Sequence, residues 1–158
     1  FRNDFDIAIQ MDGDGQHPPE ELIKILTPLI NNEADVCIGS RFINKEGFQS
    51  TATRRLGINF LSSLIKLCSG EKVLDCTSGY RAFNKKAIEL CVNYYPDKYP
   101  EPESILYLLK NKLTVKEVPV IMRSREGGVS SIGGFGSLYY MIKVSLAILF
   151  LNFKSFQK

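Results

Sequence analysis

The sequence predicts an α/β protein: a sheet with helices on its faces, followed by a C-terminal apolar helix. Two observations predict the sheet. An apolar run, Ile7 to Ile9, a helical pattern and a second apolar run, Ala34 to Gly39, follow one another in strand–helix–strand rhythm. Both runs lead into polar, glycine-bearing stretches, at the strand ends where open α/β sheets bind ligands. A third observation predicts the last helix, since Phe135 to Phe153 is strongly apolar with Lys143 as its only charge.

The elements follow in order. Pro18-Pro19-Glu20-Glu21 starts a helix, because proline is tolerated in the first turn and acids suit the positive end of the helix dipole. Leu22, Ile23, Ile25, Leu26, Leu29 and Ile30 give it an apolar face, Pro28 bends or shortens it, and Asn31-Asn32 ends it. The strand of Ala34 to Gly39 comes next, then a polar loop from Asn44 to Thr53. Arg54-Arg55 opens a long helix through Cys68, with Gly70 as its C-cap. The stretch Asp75 to Phe83 reads as a loop ahead of a helix from Lys85 to Asn93. Tyr94 to Glu103 is an aromatic, proline-rich loop, and Glu103 heads a helix from Ser104 to Lys112. Leu113 to Met122 is a strand that Pro119 assigns to an edge or a bulge. Gly133-Gly134 breaks the chain before the apolar helix, which is suited to a membrane interface, to packing over the sheet or to a dimer partner.

Chemistry concentrates after the first strand, in Asp12-Gly13-Asp14-Gly15-Gln16-His17. Asp12 and Asp14 alternate onto one side, and two hard oxygen donors there suit Mg²⁺ or Mn²⁺ with room left for a phosphate. The same composition also suits an acidic turn. Arg41, at the end of the second strand, offers a planar fork to a phosphate. In Asp75-Cys76-Thr77-Ser78-Gly79, hydroxyls beside a glycine make a polar pocket wall, and Asp75 can orient an acceptor or a cation. Gly127-Gly128 with Arg125 can fold over a diphosphate, its N–H groups and guanidinium neutralising a leaving nucleotide. A carboxylate such as Glu103 at a helix start has an ordinary capping explanation.

The segment Asp12 to His17, followed by Pro and Glu, resembles the DxD-type signature of the family 2 glycosyltransferases, in the branch of dolichyl-phosphate mannose synthase and the bacterial polyprenyl-phosphate glycosyltransferases. Gly39-Ser40-Arg41 resembles the same pattern. So does Asp75 to Phe83, as D-x-x-S-G-(F/Y)-R, and so does Glu117-Val118-Pro119 with Arg125, Gly128 and Ser130, as E-V-P…R-x-x-G-x-S. Many polyprenyl transferases have Lys after that serine, where this chain has Ser131.

The resemblance implies a partial GT-A-like, Rossmann-like mixed sheet. It implies a metal-dependent, inverting glycosyltransferase that moves a sugar from a nucleotide-sugar donor to a polyprenyl-phosphate or saccharide acceptor. Asp12, Asp14 and Gln16 would hold the Mg²⁺ or Mn²⁺. Arg41, Ser78, Arg81, Arg125, Gly128 and Ser130 would face substrate, with Arg54-Arg55 near an acceptor phosphate. Glu103 would be the catalytic base, with Glu101 second, and Asp75 would join it in the catalytic centre. A base is needed for a hydroxyl acceptor and not for an ionised phosphate. The chain opens almost directly with the strand that leads into the DxD, whereas the family places a base- and ribose-gripping half before it. The expectation is therefore a portion of such an enzyme, residues 1–132, plus an apolar helix within 133–158. The rival expectation is a non-catalytic, truncated scaffold that binds membrane or a partner.

Composition narrows the classes. At 158 residues with 44% hydrophobic and 23% charged content, the chain can bury one core. A net charge of +3 with no basic stripe gives no reason to expect nucleic acid as a partner. Four cysteines without a CxxC pair and a single histidine argue against zinc and for a reducing cytosol, at the inner face of the membrane if the last helix is interfacial.

Overall fold

The computed structural model describes residues 4–96, 99–124 and 135–153. Strands β1 (Ile7–Gln10), β2 (Val36–Ser40), β3 (Arg81–Asn84) and β4 (Val115–Pro119) form a mixed sheet in the order β1-β3-β2-β4. The α/β architecture and the mixed sheet agree with the sequence reading.

β3 is the difference. The end of the stretch read as a loop, from Arg81, is a strand placed between β1 and β2, antiparallel to both, with Ile9 opposite Ala82 and Cys37 opposite Ala82. Four residues led by an arginine carry no local strand signal. Pairing from two sides makes the strand, and that is a long-range effect. β4 lies parallel to β2 at the sheet edge, where Pro119 lacks only an outward N–H.

Side chains alternate across the sheet and divide the core in two. Cys37, Tyr80, Ala82, Val120 and Met122 meet Ile25 and Leu29 of α1 (Leu22–Ile30) on one face. Val36, Ile38 and Phe83 meet the other helices on the opposite face: α2 (Ala52–Ser69), α3 (Lys85–Asn93), α4 (Pro100–Lys110) and α5 (Phe135–Phe153). α1 follows a 3₁₀ turn, Pro19–Glu21, and runs to Ile30, with Pro28 inside it and Asn32 at φ 56° just beyond its end. Thr51 caps α2, and Gly70 closes it at φ 85°, a left-handed conformation that glycine adopts at no steric cost. α4 starts at Pro100, four residues earlier than the sequence reading, so Glu103 lies within its first turn.

Val144, Ile148 and Leu151 of α5 are buried against α2 and α4 in the larger core. Leu138, Tyr139, Ile142, Leu146, Leu149, Phe150 and Phe153 form its outward side, all exposed and apolar or aromatic. The helix is long and apolar enough to cross a membrane by length and composition, although its inner side belongs to the core.

Candidate active site

The register places Gln10, Arg81 and Ile38 opposite one another, and Ser40 opposite Pro119. The carboxyl ends of β1, β2 and β4 and the amino end of β3 therefore share one rim. The DxD loop, Gly39-Ser40-Arg41, the Asp75 to Gly79 stretch and the chain after Pro119 all meet the sheet at that rim.

The DxD loop follows β1. Asp14 Oδ1 accepts the Gln16 N–H at 3.1 Å, and Gln16 Nε2 points to the Arg123 carbonyl at 3.5 Å while the Arg123 N–H donates back to Gln16 O at 3.0 Å. The loop's anchor is His17, which closes the DxD-type motif in sequence but is assigned no role there. Its buried ring stacks on Tyr80 with centroids 4.7 Å apart, and its Nδ1 accepts the Asp12 N–H at 3.0 Å. Burial, helped by Arg41, holds the His17 pKa below its ordinary value against the pull of Asp12, Asp14 and Asp75. A neutral ring is what an acceptor Nδ1 requires. Its position inside the DxD-type motif was the available signal.

The Asp12 carboxylate lies over Gly79. A Cβ at position 79 would stand 2.8 Å from Oδ2 and 2.9 Å from Oδ1, so only glycine lets the two loops approach this closely. Two carboxylates with oxygens at the loop surface suit a cation that completes its shell with water and substrate oxygens. Among the described residues no group of three or more His, Cys, Asp or Glu side chains stands ready to enclose an ion. The two-carboxylate donor set fits a hard divalent ion such as Mg²⁺ or Mn²⁺ with coordination positions left open.

Arg41 and Asp75 meet at the centre of the rim. Asp75 is fully buried, and its carboxylate accepts from the Arg41 backbone N–H at 3.1 Å, from Nε at 2.8 Å and from Nη2 at 2.7 Å. Burial opposes the Arg41 charge, but the bonds and charge of Asp75 outweigh it and hold the guanidinium above its usual pKa. Two of the three fork nitrogens thus belong to Asp75, and Nη1 lies outside the pair. Arg55 of α2 stacks its guanidinium on the Phe42 ring, 3.3 Å from the centroid. Among the described residues its buried Nη1 has no hydrogen-bond partner.

Ser78 donates to the Gly39 carbonyl at 2.7 Å and accepts from the Tyr80 N–H, linking the second motif to the end of β2. Arg81 is fully enclosed. It donates from Nε to Ser78 O, from Nη2 to Cys76 O and from Nη1 to Ser104 Oγ, so it braces the 76–78 turn against the first turn of α4. Burial lowers its pKa. Glu103 is engaged by the Tyr94 hydroxyl, beside Tyr107. The charge of Glu101, by contrast, acts on Arg81, Tyr95 and Tyr140. Tyr140 brings α5 to this neighbourhood and meets Tyr99, at the head of α4, edge to face. Arg125, Gly128 and Ser130 lie outside the described residues, as does the break at Gly133-Gly134.

The model of the family described as Glycosyl transferase family 2 matches residues 4–91, more than half of the chain. The chain belongs to glycosyltransferase family 2. A UDP-N-acetylglucosamine–dolichyl-phosphate N-acetylglucosaminyltransferase of Methanococcus voltae is 32% identical over 148 residues, which cover 89% of this chain and 59% of that relative. A polyprenol monophosphomannose synthase of Mycolicibacterium smegmatis is 29% identical over 92% of this chain and 56% of its own length. A dolichol-phosphate mannosyltransferase of Pyrococcus furiosus is 31% identical over 82% of this chain and 37% of its own. The chain therefore spans less than two thirds of the relatives it matches. The fold of this family 2 chain also matches glucosyl-3-phosphoglycerate synthase of Mycobacterium tuberculosis, with a TM-score of 0.63 over 96% of this chain and 51% of that one, at 17% identity.

Proposed function

We propose that this chain carries the metal- and acceptor-binding part of an inverting glycosyltransferase that moves a sugar from a nucleotide-diphosphate donor to a lipid monophosphate. One observation carries the choice of acceptor: the buried Nη1 of Arg55, which has no partner among the described residues and lies within electrostatic reach of the Arg41–Asp75 pair. A buried guanidinium N–H without a partner is costly, and a phosphate oxygen satisfies it with a charge-assisted bond. The apolar outer side of α5, with exposed Leu56 and Phe60 on neighbouring α2, supports a lipid tail and a membrane surface nearby. The names of the relatives, which act on dolichyl and polyprenol phosphates, support the same reading.

In this reading Asp12 and Asp14, with Gln16, hold the divalent ion, which when bound withdraws charge from the departing diphosphate. An acceptor phosphate oxygen, held by Arg55 and the free edge of Arg41, attacks the anomeric carbon on the face opposite the diphosphate. The new C–O bond forms as the bond to the diphosphate oxygen breaks, and that oxygen leaves with the electron pair. An ionised acceptor has no proton to lose, so the step needs no general base, in keeping with Glu103 being engaged by Tyr94. Asp75 and Arg81 position the rim, and Arg125, Gly128 and Ser130 follow shortly after Arg123, which the Gln16 backbone holds at the DxD loop.

The test is transfer of labelled sugar from UDP-N-acetylglucosamine, UDP-glucose or GDP-mannose, with Mn²⁺, to farnesyl phosphate or to a short oligosaccharide. Label on farnesyl phosphate, lost with EDTA and reduced in Arg55→Ala, is the expected result. Transfer to the oligosaccharide alone would refute the acceptor assignment. Phosphate or vesicle binding without transfer to either would favour the scaffold reading.

A further inference from the structure

The E-V-P motif of β4 has no part in the chemistry derived so far, yet its glutamate points at the centre of the rim. Glu117 stands opposite Ile38 in the parallel pair, two residues before the level of Ser40. Its Oε2 accepts the Leu74 N–H at 2.6 Å and its Oε1 accepts the Asp75 N–H at 2.8 Å. Ser40, on β2, adds a side-chain bond to the same carboxylate. Both oxygens thus grip consecutive peptides at the entry of the 74–77 turn. The Asp75 carboxylate that leaves this turn then orients Arg41 through three bonds. The chain of contacts runs from β4 through the turn to the guanidinium.

A carboxylate is a costly means of holding a turn. Glu117 is partly buried beside a second, fully buried carboxylate, and both desolvation and the Asp75 charge oppose its ionised form. An apolar side chain would fill the same volume on an edge strand. What Glu117 adds is a fixed two-point grip on the peptide that bears Asp75, and hence a fixed direction for Arg41.

We propose that Glu117 is a positioning residue for the acceptor-phosphate site, setting through Asp75 the direction in which Arg41 presents its free edge beside Arg55. The inference rests on the acceptor reading above. It makes a prediction opposite in sign to simple electrostatics. Glu117→Gln makes the cluster more positive by one charge, which by Coulomb attraction alone would tighten phosphate binding. It also places an NH₂ where a peptide N–H needs an acceptor, which loosens the turn. Glu117→Asp keeps the charge but withdraws the carboxylate by one methylene.

The experiment measures farnesyl phosphate binding by calorimetry on the folded chain and both variants. The Arg41 Nε–H resonance is followed by NMR, and the urea midpoint by circular dichroism. Both variants are expected to bind farnesyl phosphate about tenfold more weakly, the loss that one misplaced charge-assisted hydrogen bond entails. The Arg41 Nε–H signal is expected to shift in both. Unchanged or tighter binding by the folded variants would overturn the positioning role, whatever happens to their midpoints, while leaving the acceptor reading intact. Failure of both variants to fold would make Glu117 structural and overturn it as well. Absence of binding by the unaltered chain would overturn the acceptor reading and this inference together.

Discussion

Replacing Asp75 with asparagine tests whether the centre of the rim is held as one charged unit. The substitution leaves the shape nearly unchanged but removes the negative charge from a site with no solvent exposure, facing an arginine whose side chain is only 8% exposed. Arg41 loses its counter-charge, and an NH₂ group faces donors it cannot accept from. Removing one partner of a buried ion pair costs about 3–5 kcal/mol, because the remaining charge stays desolvated. Against a total stability of about 5–15 kcal/mol, that is a large share. For a chain of this length it corresponds to a fall in melting temperature of roughly 6–20 °C, at about 2–4 °C per kcal/mol. Thermal unfolding followed by circular dichroism reads the shift. Converting the pair to Arg41→Met with Asp75→Leu should recover part of the loss, since no unpaired charge remains. An Asp75→Asn variant that melts within about 2 °C of the unaltered chain would refute the reasoning, because it would mean that Arg41 reaches water instead of depending on Asp75.

Gly79→Ala should leave the melting temperature within a few degrees while weakening Mn²⁺-dependent nucleotide-sugar binding, measured by calorimetry, because its Cβ displaces the exposed end of Asp12 and not backbone. Burial pushes the Cys37 and Cys76 thiols up to about 12 from 9.0, so a disulfide reagent at pH 8 should leave both unmodified until the chain unfolds. The same shift fixes a pH dependence. Both thiols are neutral in either state below pH 9, and between about 9 and 12 the unfolded chain ionises first, so urea midpoints should fall as pH rises through that window. Ile148→Ala, on the inner side of α5, should cost about 2–5 kcal/mol in urea unfolding. Phe150→Asp, on the outer side where Phe150 is 73% exposed, should leave stability nearly unchanged and reduce sedimentation with anionic lipid vesicles.

Local pattern carried much of this protein. The apolar runs at Ile7 to Ile9 and Ala34 to Gly39, the spacing of α1, the glycine cap at Gly70 and the proline on the edge strand are all decided by residues within a turn or two of each other. So are the motifs, because a tight loop that presents two carboxylates or an arginine needs its glycines and acids adjacent in sequence. The family followed from those motifs and their order.

Tertiary structure decided what those residues touch. β3 exists because β1 and β2 flank it, and nothing within Arg81 to Asn84 announces that pairing. Arg41 reads in sequence as a fork open to phosphate, whereas Asp75, 34 residues away, takes two of its nitrogens, and Arg81 is turned wholly inward. Glu103 and Glu101 look alike at the head of a helix, until Tyr94 engages one and the charge of the other falls on Arg81. His17 becomes the anchor of the DxD loop only when Tyr80 is brought beneath it. Hydrogen bonds and ion pairs act over a few ångströms, and which groups come that close is set by strand pairing and packing across the whole fold, so sequence nominated the residues of this site and long-range contact assigned them their partners.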